Sequence, residues 1–92
     1  MAEAFGVRYN PHVWGTGIAI AASLQLLAVL PSHTPTSLNP LEPMLEFDRT
    51  EHPIRQALLT EPVEHVRGVV HVPNGPGLGI EVDRAVLKRF TV

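Results

Sequence analysis

The stretch from Gly15 to Leu30 constrains this chain more than any other. From Ile18 to Leu30 it is apolar except for Ser23 and Gln25, with alanine and leucine dominating. Thr16 stands where an N-cap belongs and Pro31 where a helix must stop, so the spacing predicts one helix from Gly17 through Leu30. A helix apolar nearly all round has to be covered nearly all round. The run is shorter than the roughly 20 residues a spanning helix needs. Glu3 and Arg8 precede it in place of a basic n-region, and Ala28-Val29-Leu30-Pro31 is a poor cleavage signal. A buried helix is therefore expected, and no membrane partner.

At 92 residues the chain is at most one small domain, yet 45% of it is hydrophobic and only 17% charged. So short a chain cannot enclose this helix by itself. Self-association or a companion chain is the expected remedy. The net charge of -2 and the lack of any basic block exclude a phosphate-neutralising surface, so no nucleic acid is expected as partner. The chain has no cysteine, which removes disulfide scaffolds, thiolate zinc sites and thiol catalysis together and fits a cytoplasmic protein.

The other elements are short. Ala2 to Phe5 reads as a helical turn ended by Gly6, and Val7 to Asn10 as a strand ended by Pro11. Ser32 to Pro43 reads as loop and Met44 to Phe47 as a strand. Asp48 to Glu51 makes a turn, and Pro53 to Leu59 a short helix with proline in its first turn. Gly68 to Val72 suits a strand, Pro73 to Gly79 a glycine-punctuated turn, and Ile80 to Val82 another strand. Asp83 caps a last helical turn reaching Phe90. The early part is βαβ, the unit of parallel α/β sheets, which need both faces covered.

Three segments in succession resemble the C-terminal end of enolase-superfamily enzymes of the mandelate racemase/muconate lactonizing type. They are Pro11-His12-Val13-Trp14-Gly15-Thr16-Gly17, the block from Glu42 to Thr50 followed by Pro53-Ile54-Arg55, and the tail Val72-Pro73-Asn74-Gly75-Pro76-Gly77-Leu78-Gly79-Ile80-Glu81. The nearest variety is the sugar-acid group of galactarolactone cycloisomerases and galactarate-type dehydratases. The resemblance implies an α/β fold: a partial (β/α) barrel comprising the last strand-helix-strand units over residues 1–60, then a C-terminal β-turn-β return to a capping domain over residues 61–92. It also implies abstraction of a proton α to a carboxylate, with the enediolate stabilised by a magnesium ion on three carboxylates.

On that resemblance His12 matches the histidine that serves as general acid or base, just past a strand end where barrel sites lie. Glu46 matches the last-strand carboxyl group that bonds the enolising carboxylate, and Trp14 falls at the pocket rim in reach of substrate. The bland readings are a loop histidine, a strand carboxylate and a packing tryptophan. Asp48 and Glu51 suit turn and capping positions. His33, His52, His65 and His71 lack the spacing of a zinc site and read as loop or surface histidines. Pro73 to Gly79 lacks the lysine of a phosphate loop.

The three metal carboxylates, the early lysine and the aspartate that orients the histidine are not found here. The expectation is a C-terminal fragment of a sugar-acid dehydratase or cycloisomerase, inactive alone, binding no metal alone and taking a sugar acid only when the barrel is completed. The alternative is a non-catalytic interaction module that associates through its apolar helix.

Overall fold

Two short parallel strands organise the chain, with a helix lying against one of their faces. The structure, a computed structural model, describes residues 1–30 and 42–92. Strand β1 is His12–Val13 and strand β2 is Glu46–Phe47; they pair in parallel, His12 opposite Glu46 and Val13 opposite Phe47. Helix α1, Gly17–Ala28, lies between them in sequence. This is the expected βαβ order and a mixed α/β fold with few strands.

The first strand lies further along than its alternation suggests. Residues 7–10 are exposed and outside any strand, and pairing starts beyond Pro11. The Glu46 N–H donates to the Pro11 carbonyl at 3.1 Å. Proline has lost its donor but keeps its acceptor, so Pro11 opens this ladder instead of ending it.

Helix α1 buries Gly17, Ile20, Ala21, Leu24 and Leu27. Those positions recur at intervals of three and four and share one face. The opposite face is uncovered: Leu26 is 57% exposed and Val29, the C-cap, 76%. The helix ends two residues before the expected Leu30. Pro31, His33 and most of the expected loop, residues 31–41, lie outside the described residues. Val13, Ile20 and Leu24 form the buried cluster, packed by Leu45, Phe47, Val63 and Val70.

Helix α2, Pro53–Ala57, follows the turn at Asp48 and packs on α1. An antiparallel hairpin comes next, β3 (His65–Val66) and β4 (Val69–Val70), where one strand was expected. Arg67 and Gly68 between them have φ of 53° and 82°, the left-handed pair of a tight two-residue turn. Helix α3, Arg84–Arg89, is capped as predicted: Asp83 Oδ1 accepts from the N–H groups of Ala85 at 2.9 Å and Val86 at 3.0 Å. The strand expected at Ile80 to Val82 shrinks to one bridge, Val82 to Leu59, flanked by Asp83 N–H to Leu58 carbonyl at 2.8 Å.

Gln25, one of two polar interruptions in α1, ties the last third of the chain to the helix. Its Nε2 donates to the carbonyls of Pro73 at 2.7 Å and Leu78 at 3.4 Å. Between those carbonyls the turn folds tightly on itself. A Cβ on Gly79, whose φ is +72°, would lie 2.8 Å from the Pro73 carbonyl carbon. A Cβ on Gly77, φ +66°, would meet nothing within 4 Å.

That contrast separates backbone strain from collision. Gly77→Ala should cost only the left-handed conformation, about 1–2 kcal/mol. Gly79→Ala should cost that plus an overpacking penalty of about 1–3 kcal/mol. Urea denaturation of the two variants beside the parent measures the difference; equal midpoints would mean the turn has room to open.

Candidate functional site

Side chains alternate across a strand, and this decides where the chemistry goes. Val13 is buried against α1 and Phe47 packs on the same cluster. Their neighbours His12 and Glu46 therefore occupy the other face, which no helix among the described residues covers. There they meet, His12 Nδ1 lying 2.9 Å from Glu46 Oε1, with side chains 71% and 67% exposed. So exposed a pair adds little to stability. Its value is orientation: a carboxylate on Nδ1 holds the ring proton there and leaves Nε2 as the free basic nitrogen. Glu46, which the resemblance matched to the group that bonds the enolising carboxylate, is here turned to His12.

Trp14 continues the alternation, 69% exposed after buried Val13, and so stands on the His12 side. Its ring meets His52 edge to face, with centroids 6.0 Å apart and planes at 87°. His52 is more than a loop residue. It is the N-cap of α2, its Nδ1 accepting from the Arg55 N–H at 3.1 Å. The sequence signal is the following Pro53: proline favours the first helical position, which makes the residue before it the cap.

The turn joining Glu46 to His52 is held by buried charge. Arg55 is 7% exposed; its guanidinium bonds the Asp48 carboxylate and the Thr50 carbonyl. Asp48 Oδ1 also accepts from the Thr50 N–H at 2.8 Å and the Thr50 hydroxyl at 2.7 Å. The Thr50 N–H foremost, then its hydroxyl and the Arg55 guanidinium, hold the Asp48 carboxyl below its ordinary 3.8 against the opposing pull of burial. Asp48 thus serves the turn, as its sequence position suggested. His65 is engaged elsewhere, edge-on to Phe47 and accepting from Arg49.

Among the described residues no three His, Asp or Glu side chains gather as a metal site. Glu46 is taken by His12 and Asp48 by Arg55 and Thr50. Magnesium asks for an octahedron of oxygens, and these residues do not fit one. A shallow cavity of about 90 Å³ opens among Gly17, Ile20, Phe47, Arg55, Val63 and Glu64; neither His12, Glu46 nor Trp14 lines it. No helix among the described residues is long and apolar enough to cross a membrane.

A parallel strand-helix-strand presenting a histidine-carboxylate pair on its helix-free face is the kind of unit from which α/β enzymes build their sites. The sequence pattern of the Enolase C-terminal domain-like family matches residues 1–86, and the chain belongs to that family. It is 56% identical over 90 residues to D-galactarolactone cycloisomerase of Agrobacterium fabrum, a match covering 98% of this chain and 24% of that enzyme. Muconate cycloisomerase 1-1 of Acinetobacter lwoffii is 45% identical over 38 residues, 41% of this chain and 10% of that enzyme. The crystal structure of the 3,6-anhydro-D-galactonate cycloisomerase from Zobellia galactanivorans matches with a TM-score of 0.72 at 34% identity, over 97% of this chain and 22% of that one. The chain thus spans about a quarter of the length of the Agrobacterium enzyme.

The depressed carboxyl at Asp48 sets a pH dependence. An aspartate with a lowered folded-state pKa binds its proton less readily folded than unfolded. Its contribution is therefore complete above the ordinary value of 3.8 and fades as the pH falls through the lower folded value. Asp48→Asn should be less stable than the parent at pH 7, and the gap should narrow as the pH falls below 3.8. Denaturant midpoints across that range test it; a gap independent of pH would mean that the charge of Asp48 is not what holds the turn.

Proposed function

We propose that this chain forms the closing strand-helix-strand of a (β/α) barrel active site acting on a sugar acid or its lactone, in the manner of a cycloisomerase or dehydratase. In this reading residues 1–60 belong to the barrel and residues 61–92 return to a capping domain. The observation that carries it is the His12–Glu46 pair at 2.9 Å on the face opposite α1. In a barrel with its helices outside, that face is the lumen. A Cα radius of gyration of 15.1 Å, against about 12 Å for a compact globule of this length, fits a unit that packs against further structure. So do the outer edges of the β1–β2 ribbon, unpaired among the described residues, and the exposed Leu26 and Val29.

His12 then moves the proton. With Nδ1 held by Glu46, Nε2 takes a proton from the carbon α to the substrate carboxylate, or returns one to it. Glu46 keeps the ring in that tautomer and steadies the imidazolium that forms. Trp14 lines the rim beside them and offers an apolar face to the sugar. Any magnesium ion in such a site draws its ligands from outside the described residues. Until the rest of the barrel is present the chain is inactive, and a companion chain is one way to supply it.

The test joins the chain to the cycloisomerase of Agrobacterium fabrum in place of that enzyme's matching quarter, with the unjoined chain as blank. Loss of substrate α-deuterium to solvent is followed by NMR. His12→Asn, which keeps size but cannot cycle a proton, should slow exchange by about 10²–10⁴-fold. His71→Asn, at an exposed position, should leave it within about twofold. Exchange unaffected by His12→Asn would remove His12 from the reaction.

A further inference from the structure

We infer that His52 is the positioning residue for Trp14, fixing the indole as a flat wall on which the C–H face of a polyhydroxylated ring or chain stacks beside His12. The inference deepens the sugar-acid reading and rests on it.

Trp14 is the chain's one tryptophan and is 69% exposed. An indole so exposed on a loop after a two-residue strand has several rotamers open to it, and ordering it on binding weakens a ligand's hold. His52 restricts that freedom. Its ring lies across the indole at 87° with centroids 6.0 Å apart, the edge-to-face geometry that aromatic quadrupoles favour.

The imidazole is itself held by α2. Its Nδ1 accepts the Arg55 N–H at 3.1 Å, so that nitrogen carries no proton and the ring is the neutral Nε2–H form. Arg55 in turn is anchored in the buried pair with Asp48. A rigid chain of contacts therefore runs from the end of β2, through Asp48 and Arg55, to His52 and then to Trp14. An asparagine at this position would cap α2 as well as histidine does but would present no ring to the indole. The histidine thus does something beyond capping.

Trp14 follows His12 by two residues, the spacing at which strand side chains share a face, and that spacing is the ground for setting the indole beside His12. Carbohydrate rings offer patches of C–H between their hydroxyls, and such a patch against an aromatic face is held by burial and dispersion. The wall would thus select substrates carrying that face, sugar acids and their lactones, over short 2-hydroxy acids that lack it.

His52→Asn separates ring from cap. In the joined protein described above it should raise KM for galactarolactone on the order of tenfold while kcat changes less than about twofold, the signature of a binding wall and not of a proton carrier. Trp14→Ala should raise KM similarly, and the double variant little further, because the histidine acts through the indole. In the chain itself, the indole N–H resonance of Trp14 should shift in His52→Asn and stay in place in His71→Asn. Unchanged KM in His52→Asn, or additive effects in the double variant, would overturn the inference. Calorimetry with galactarate separates the two levels. Binding weakened by His52→Asn in a protein whose exchange ignores His12→Asn would sustain the wall and sink the proton-transfer role. A site that binds no sugar acid at all would sink both.

Discussion

The parallel pairing of β1 and β2 is the constraint from which the rest of the arrangement follows. With Val13 opposite Phe47 and both turned to α1, the period of two in a strand leaves His12 and Glu46 no choice but the other face. A shift of one residue in either strand would bury the chemistry under the helix and expose the core. The register is held by apolar burial on one side and by the Glu46 N–H bond to Pro11 on the other. The burial that stabilises the unit is therefore also what aims the imidazole.

Around that ribbon the chain spends its polar groups on holding loops. Asp48, Thr50 and Arg55 close the turn after β2 with charge almost removed from water. Gln25 pins both ends of the glycine-rich turn to α1. Asp83 caps the last helix, and the Val82–Leu59 bridge seats it near α2. These groups hold turns and caps, while His12 and Glu46 meet on the strand face opposite α1. The proposed reaction rests on the same division of labour: rigid supports behind, one movable proton in front.

Much of this was legible in the residues themselves. Asp83 before Arg84, Pro53 opening α2, Gly6 ending the first turn and the Pro-Gly run at 73–79 each act through local backbone chemistry, which a sequence displays directly. Membership of the enolase C-terminal domain-like family was readable from the same runs, because their order along the chain is itself the pattern. Less legible were the strands. Val7 to Asn10 alternates well but has no strand beside it among the described residues, and a strand exists only where a partner accepts its hydrogen bonds. The Arg67-Gly68 hairpin was hidden because its turn lacks the asparagine or aspartate that usually announces left-handed residues.

By itself the sequence determined the family, the place of the main helix, the cap at Asp83, the proline that opens α2 and the Pro-Gly turn at 73–79, all matters of spacing over a few residues. Only the tertiary structure decided that Glu46 would meet His12 across 34 residues of chain, that His52 would cap α2 and brace Trp14, and that one flank of an apolar helix would stay bare. Those outcomes depend on which segments pack together and in what register. Packing is settled by the joint burial of Val13, Ile20, Leu24 and Phe47, residues distant in sequence, and no local pattern encodes it.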